Sequence, residues 1–171
     1  MNISLIGMPA SGKTTTAQKL KELLDNYVLI DTDEKIVQNE NMSINDIFAS
    51  KGEEYFRRKE TEVLKEILKG NNQIISTGGG IIKSNENIKI LKEKSTVIYL
   101  EADLETLYER AKKNTERPLL NDCDIKNKLE NLLKERKEKY KQAHYIIDIR
   151  EKTPEITAKE ITEKINENGR S

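Results

Sequence analysis

The chain of 171 residues has few of the residues that build crosslinked or metal-bound folds. It contains one cysteine, Cys123, and one histidine, His144. A single cysteine excludes an intramolecular disulfide and a metal site made of several cysteines, and it is consistent with a reducing compartment. We assign neither residue a catalytic role, because a lone histidine at the edge of a predicted strand is usually structural and Cys123 is expected to be partly exposed.

The sequence also lacks a net charge, because 30 lysines and arginines balance 30 aspartates and glutamates. No overall field then favours nucleic acid or an anionic membrane, so any attraction for phosphate must come from local placement. No apolar run approaches the roughly 18 residues that a membrane-spanning helix needs, and no basic leader precedes the first strand-like segment. We expect a cytoplasmic monomer without nucleic-acid or membrane partners.

Short β-branched runs alternate with longer segments of helical period, which predicts a parallel sheet with crossover helices in an α/β fold. The predicted strands are 2–6, 27–30, 73–76, 96–100 and 145–149. Their nearly continuous apolar character is typical of strands that helices cover on both faces. The length fits one domain spanning 1–171, so we expect a three-layer α/β/α sandwich.

The helical segments carry apolar residues at helical spacing. They are predicted at 13–24, after Ser43, at 53–68 and at 154–166. Residues 111–123 break the helical period with Pro118 and several polar residues, and Asp124 is then predicted to cap a helix that reaches about Tyr140. A loop of this kind between two helices is a candidate lid.

Residues 7–14 read Gly-Met-Pro-Ala-Ser-Gly-Lys-Thr and match the pattern G-x-x-x-x-G-K-[ST] between a predicted strand and a predicted helix. The glycines let backbone N–H groups turn inward around phosphates, and the helix N-terminus adds positive potential. An ordinary glycine-rich turn is the alternative, which the strand and helix context disfavours. The predicted nucleotide contacts in this P-loop are Gly7, Ala10, Ser11, Gly12, Lys13, Thr14 and Thr15, with the Thr14 hydroxyl placed to ligate Mg²⁺.

The second predicted strand ends in Asp31-Thr32-Asp33, whereas the strand at 73–76 is followed by no carboxylate. P-loop enzymes usually place an aspartate at the end of another strand to hold the metal's water shell, so Asp31 is the predicted metal-side acid. If the extended geometry continues, Asp33 projects the same way and can face an acceptor. The alternative, that Asp33 caps a helix beginning near Glu34, is compatible with this role.

Three further features suit a small anionic acceptor. Arg57 and Arg136 offer guanidinium forks, and the segment Gly78–Gly80 lets substrate oxygens approach the backbone at a strand end. Arg57 and Arg58 point about 100° apart on a helix, so only one can face the cleft. Solvated surface charges and a flexible turn are the alternatives.

Taken together, these motifs resemble the shikimate kinase family in order and approximate spacing over almost the whole chain. The P-loop alone marks a superfamily, whereas the acidic pair, the triple glycine and Arg-Pro-Leu-Leu in combination are specific. The segments that carry the resemblance are the P-loop, Asp31-Thr32-Asp33, Phe56-Arg57-x-x-Glu60, Gly78-Gly79-Gly80, Arg117-Pro118-Leu119-Leu120 and Arg136-x-x-x-Tyr140.

The resemblance implies a five-stranded sheet of order 2-3-1-4-5, a fold shared with nucleoside-monophosphate kinases. It also implies Mg²⁺-dependent transfer from ATP to the 3-hydroxyl of shikimate, in aromatic amino acid biosynthesis. By position, Asp33 would orient the attacking hydroxyl and accept its proton. Arg57, Arg136 and Gly79, with the glycines on either side, would bind shikimate.

The resemblance implies two roles on the nucleotide side as well. Lys13 and the lid residue Arg117 would stabilise negative charge on the transferring group, and Arg110 would pack near the adenine. The family often has glycine where Ala10 stands, at a variable position of the loop.

Two other functions remain open from the residues alone. One is a different small-molecule kinase, such as a gluconate or nucleoside-monophosphate kinase. The other is a nucleotide-binding module without turnover. Asp33 and Arg117 favour chemistry, because a passive binder needs neither.

Overall fold

The computed structural model describes residues 1–113 and 122–168. In these residues the strands are β1 (Ile3–Gly7), β2 (Val28–Asp31), β3 (Gln73–Ser76), β4 (Thr96–Glu101) and β5 (Tyr145–Asp148). The helices are α1 (Lys13–Leu23), α2 (Thr32–Glu40), α3 (Ile44–Ile67), α4 (Asn85–Lys94), α5 (Leu104–Lys113), α6 (Asp122–Tyr140) and α7 (Pro154–Asn168), with a short 3-10 helix at Ile81–Lys83.

The five strands form one parallel sheet in the order β2-β3-β1-β4-β5. This confirms the predicted fold class and strand order. β1 is the central strand, with Ile3 paired to Ile74 of β3 on one side and to Thr96 of β4 on the other. The order reverses at β1, and ligands bind at the carboxyl ends of strands beside such a reversal. The P-loop, which follows β1, therefore begins at that place.

Burial is deepest in the centre of the sheet. All five residues of β1 are buried, and so are most residues of β3 and β4. The expectation that all five strands are covered on both faces is wrong for the two edge strands, in which Val28 of β2 is 59% exposed and Ile146 of β5 is 43% exposed. Apolar character alone cannot distinguish an edge strand from a central one.

Helix α3 contains a break that the sequence partly predicts. It begins after Ser43, whose side chain accepts a hydrogen bond from the Asp46 N–H at 3.1 Å, so the predicted helix start is confirmed. Within it Gly52 has φ 84° and ψ 170°, a conformation open essentially only to glycine. The predicted segment 53–68 is the part of α3 beyond this break.

The boundaries of the candidate lid differ from the prediction. Ala111 to Lys113 continue α5, and α6 begins at Asp122 rather than after a cap at Asp124. Aspartate is favourable both as a cap and within the first helical turn, so its type does not fix the start. The remainder of the lid, with Arg117, lies outside the described residues. None of the helices in the described ranges is long and apolar enough to cross a membrane.

Candidate active site

The P-loop joins β1 to α1, as its pattern predicts. A Cβ at Gly7 would lie 2.7 Å from Ser11 Oγ and 3.0 Å from the Leu100 carbonyl oxygen, so only glycine fits there. Lys13, the first residue of α1, donates from Nζ to the carbonyl oxygens of Gly7 and Met8, at 2.9 Å each. The loop is thus folded around its own lysine.

The ammonium group of Lys13 is buried at the base of the cleft. Burial lowers its pKa to about 8, against the opposing attraction of the Asp33 and Asp31 carboxylates. A cation that is costly to keep charged is stabilised by any anion brought next to it. The phosphates of a nucleotide would be such anions.

Two loop residues have left-handed backbones, Ala10 at φ 66° and Gly12 at φ 80°. Glycine adopts this conformation freely, whereas alanine does so at a cost. The backbone at position 10 therefore favours glycine over alanine, which is a physical reason for the family's frequent glycine there. Ser11 is buried inside the loop, and Thr15 is exposed on the first turn of α1.

Asp31 ends β2 and also caps α2. Its Oδ1 accepts from the N–H groups of Asp33 (2.9 Å) and Glu34 (3.3 Å), while the Thr14 hydroxyl donates to its Oδ2 at 3.3 Å. The alternative in which Asp33 caps a helix beginning near Glu34 is wrong, because Asp31 is the cap and α2 begins at Thr32. Extended geometry does not continue to Asp33, because the helix starts one residue earlier.

Asp33 nevertheless faces the same cleft, from the first turn of α2. Its Oδ1 would lie 2.6 Å from a Cβ placed on Gly78, and the Gly78 N–H donates to the buried Thr32 hydroxyl at 3.0 Å. A side chain at position 78 would push the Asp33 carboxylate away. The first glycine of the triplet thus holds the acidic segment and β3 in contact.

Arg57 reaches the third glycine from α3. Its Nη1 donates to Glu60 Oε2 at 2.8 Å, and its Nη2 lies 3.3 Å from Glu53 Oε1. Glu60 is 1% exposed, and burial raises its pKa while Arg57 opposes the rise. A Cβ on Gly80 would overlap the Arg57 guanidinium. Arg57 is thus held by two carboxylates against backbone that lacks a side chain.

Helix α6 reaches the middle glycine through two side chains one turn apart. Arg136 Nη1 donates to the Gly79 carbonyl oxygen at 2.9 Å, and the Tyr140 hydroxyl donates to the same oxygen at 2.6 Å. Arg136 is 7% exposed and its Nε has no hydrogen-bond partner in the described part of the chain. A buried guanidinium with an unused donor suits a carboxylate ligand.

The P-loop and the three-glycine segment enclose a cavity of about 290 Å³. Apolar residues of α5 and α6 form its other wall. The lining residues are Pro9, Ala10, Lys13, Thr14, Asp31, Asp33, Thr77, Gly78, Gly79, Ala111, Ile125, Lys128, Leu129 and Leu132.

A larger open groove of about 740 Å³ lies at the amino ends of the strands and is lined by Met1, Lys92 and His144, among others. No predicted site residue lines it. The His144 Nδ1 accepts a hydrogen bond from the Val97 N–H at 2.9 Å, which supports a structural role for this histidine.

Arg110, which the resemblance places near the adenine, lies beside the P-loop. Its Nη1 donates to the Ser11 carbonyl oxygen at 3.3 Å and its Nη2 to that of Ile149 at 3.1 Å. Arg117, the other cation predicted for the nucleotide, lies outside the described residues.

Sequence reasoning assigned no role to four side chains that shape this site. Two of them connect segments of the site. The Thr32 hydroxyl accepts a hydrogen bond from the Gly78 N–H, and the Ser76 hydroxyl lies 3.3 Å from that of Thr14. Glu60 and Tyr140 stand in the quoted motifs, but only as markers of resemblance. Their spacing of three from Arg57 and four from Arg136 is the one signal that could have placed them beside those arginines.

Comparison with known proteins points to one family. A family model described as shikimate kinase matches residues 9–166. The chain is 47% identical over 148 residues to the shikimate kinase of Clostridium botulinum (strain 657 / Type Ba4). This alignment covers 85% of this chain and 86% of that protein. It is 39% identical over 164 residues to the shikimate kinase of Persephonella marina, covering 96% and 98% of the two chains.

Solved structures agree with the sequence comparisons. The shikimate kinase from Acinetobacter baumannii in complex with shikimate has a TM-score of 0.89 at 36% identity, over 98% of this chain and 93% of that one. The shikimate kinase from Aquifex aeolicus gives 0.86 at 37% identity, over 99% and 98%. By sequence, by fold and by the arrangement of its cleft, the chain belongs to the shikimate kinase family of ATP-dependent phosphotransferases.

Proposed function

We propose that this chain transfers the γ-phosphoryl group of ATP to the 3-hydroxyl of shikimate, giving shikimate 3-phosphate and ADP. The observation that carries the proposal is that Lys13, Asp33, Gly78 and Gly79 line one cavity. A phosphate-binding cation, a candidate base and exposed backbone are thus within reach of a single small acceptor.

The nucleotide end of the cleft is the P-loop. Its backbone N–H groups and Lys13 bind the phosphates, and Arg110 contributes beside Ser11, where its guanidinium already lies. Lys13 stabilises the negative charge that spreads over the transferring group. Arg117 is proposed as a second cation for that charge, on the positional resemblance alone.

Thr14 and Asp31 are proposed to hold Mg²⁺. Their oxygens lie 3.3 Å apart at the mouth of the P-loop, and hydroxyl and carboxylate oxygens are hard donors of the kind this ion prefers. Within the described residues no group of three or more His, Cys, Asp or Glu side chains could hold a metal, but Mg²⁺ commonly binds through one or two side chains, water and substrate phosphates. The ion would neutralise charge on the phosphates of ATP.

The acceptor end is formed by the three glycines and the two arginines beside them. Arg57 and Arg136 are proposed to bind the shikimate carboxylate and ring hydroxyls, and the backbone of Gly78 to Gly80 approaches the acceptor because no side chains intervene. Each arginine already contacts one of these glycines. An anion bound there would touch both the cations and the bare backbone.

Asp33 is proposed to aim the acceptor hydroxyl at the γ-phosphorus. As the oxygen–phosphorus bond forms and the bond to the ADP oxygen breaks, the hydroxyl proton passes to the Asp33 carboxylate. The electron pair of the broken bond stays on ADP. No covalent enzyme intermediate is needed.

Steady-state ADP release with a panel of acceptors tests the proposal. We expect turnover with shikimate to exceed that with gluconate or any nucleoside monophosphate, and the two-dimensional phosphorus–proton NMR spectrum of the product to place phosphate on the 3-oxygen. If gluconate or a nucleoside monophosphate were turned over faster, that compound and not shikimate would be the acceptor. ADP release that no acceptor stimulates would favour a nucleotide-binding module instead.

The cytoplasmic, monomeric state expected from the sequence is kept as part of the proposal. Light scattering of the purified protein should give a mass near 19.7 kDa. The mass of a dimer would contradict the monomeric state.

A further inference from the structure

The three-glycine segment has no side chains of its own, so other groups must fix its backbone. The Gly78 carbonyl oxygen accepts from the Ile81 N–H at 3.1 Å, and that of Gly80 accepts from the Lys83 N–H at 3.0 Å. The carbonyl of Gly79 enters neither of these turns. It accepts hydrogen bonds from two side chains of α6, Arg136 and Tyr140.

Of these two donors, only Arg136 carries a charge that an anionic acceptor would attract. A guanidinium that shifts toward a carboxylate can weaken its bond to the Gly79 carbonyl, and glycine peptides rotate with little steric hindrance. A carbonyl released in this way could turn its partial negative charge toward an anionic acceptor. The second donor would then decide whether the peptide keeps its orientation.

Tyr140 is built to be that second donor. Its side chain is fully buried, and its ring stacks on that of Tyr99 in β4 with centroids 5.0 Å apart and an interplanar angle of 11°. The 2.6 Å bond from its hydroxyl to Gly79 links this stack to the loop. Burial raises the pKa of the hydroxyl to about 12, so it remains a protonated donor at any working pH.

We propose that Tyr140 is a positioning residue for the acceptor site: its hydroxyl holds the Gly79 carbonyl, and with it the Gly79–Gly80 peptide, in the orientation that an anionic acceptor needs. Tyr140 acts through Gly79 and not by touching the acceptor. This inference rests on the proposed function, because it assumes that the acceptor binds against the three glycines.

Tyr140→Phe tests the inference, since it keeps the stacked ring and removes only the hydroxyl. We expect the Michaelis constant for shikimate to rise about tenfold, as for the loss of one hydrogen bond to a buried group. The Michaelis constant for ATP and the dissociation constant of ADP should stay within about twofold, because the hydrogen bond that the Tyr140 hydroxyl donates goes to Gly79 and not to a P-loop residue.

Tyr99→Phe is the matched control, because it removes a hydroxyl from the partner ring of the same stack without touching Gly79. Both of its Michaelis constants should stay within about twofold of the wild-type values. A double-mutant cycle of Tyr140→Phe with Arg136→Lys should be non-additive in the shikimate Michaelis constant, since both donors share one oxygen.

Three outcomes would overturn the inference. They are an unchanged shikimate Michaelis constant in Tyr140→Phe, an equal effect of Tyr99→Phe, and a loss of ADP binding together with acceptor binding, which would make the hydroxyl a general support of the fold. Failure of the proposed function is distinguishable, because it would appear as a wild-type protein that does not prefer shikimate.

Discussion

Gly80 and Arg57 are in contact at the proposed acceptor site, and a methyl group at position 80 would occupy the place of the guanidinium. The backbone of Gly80 is helical, with φ −96°, so alanine would meet no strain there apart from this overlap. Because the far end of an arginine side chain moves easily, the methyl group would displace Arg57 rather than unfold the protein. The absence of a side chain at position 80 therefore leaves room for the Arg57 guanidinium.

We predict that Gly80→Ala raises the Michaelis constant for shikimate about tenfold through the displaced guanidinium and leaves that for ATP within about twofold. Steady-state kinetics with each substrate varied in turn would measure both.

Gly52→Ala is the contrasting control. A Cβ there would meet nothing within 4 Å, but the backbone conformation is one that alanine resists. This variant should lose roughly 1 to 3 kcal/mol in the free energy of unfolding and keep its shikimate Michaelis constant. If Gly80→Ala behaved like Gly52→Ala, the contact with Arg57 would have no functional meaning.

Arg57→Lys should raise the shikimate Michaelis constant about tenfold, because an ammonium group cannot reproduce the guanidinium fork that a carboxylate accepts. The neighbouring Arg58 is exposed, and Arg58→Lys makes the same chemical change outside the cleft. It should leave the kinetics within about twofold. Equal effects from the two variants would show that Arg57 acts only through general charge.

Asp33→Asn should lower kcat by roughly 10² to 10⁴, because the amide cannot accept the hydroxyl proton, while ADP binding changes little. Single-turnover kinetics and calorimetric titration with ADP would separate the two effects. Glu34→Gln removes the exposed neighbouring carboxylate and should not alter kcat. Full activity in Asp33→Asn would remove Asp33 from the chemistry.

The pKa of Lys13, lowered to about 8, predicts a pH dependence of nucleotide binding. Above that pH the free protein loses the ammonium charge that phosphates need, so ADP affinity should fall about tenfold per pH unit. Calorimetric titration at a series of pH values would measure this. Lys13→Met should bind ADP weakly and without this slope, and a wild-type affinity that is flat from pH 8 to 10 would contradict the buried charge.

The stability of the ligand-free protein should respond in the opposite direction. Between the folded pKa of about 8 and the unfolded value of 10.5, the unfolded chain binds more protons at Lys13 than the folded protein does. The contribution of Lys13 to the free energy of unfolding therefore rises with pH over this window. Denaturant unfolding of wild type and Lys13→Met would show it as a difference in slope, which separates lost ADP affinity from alkaline unfolding.

The sequence predicted the layers, because alternating β-branched runs and helical segments are typical of such a sandwich, whereas the strand order was implied by the resemblance to the shikimate kinase family. It failed at details set by neighbours in space. The exposure of Val28 depends on β2 lying at the edge, and the start of α2 depends on which aspartate, Asp31 or Asp33, reaches the free N–H groups. Neither choice is encoded in residue type alone.

The site followed the same rule. The P-loop was predicted from a pattern with few other meanings, and Asp33 lines the cleft although the extended geometry expected there is wrong. Arg136 stands in a lysine- and glutamate-rich segment that looks like a solvated surface. Only the fold shows that it is buried against Gly79. Tyr140 could not be given a role in advance, since nothing local indicates that its hydroxyl would meet a carbonyl 61 positions away.

The carboxylate of Asp31 serves the scaffold with one oxygen and faces Thr14 with the other. The helix cap and the proposed metal-binding role therefore depend on a single side chain. An asparagine could still begin the helix, but its uncharged amide would be a poorer partner for a cation, while a glutamate would move both oxygens by a methylene length. Substitution at this position is thus restricted by both the helix cap and the contact with Thr14, and any change made for one of them also affects the other.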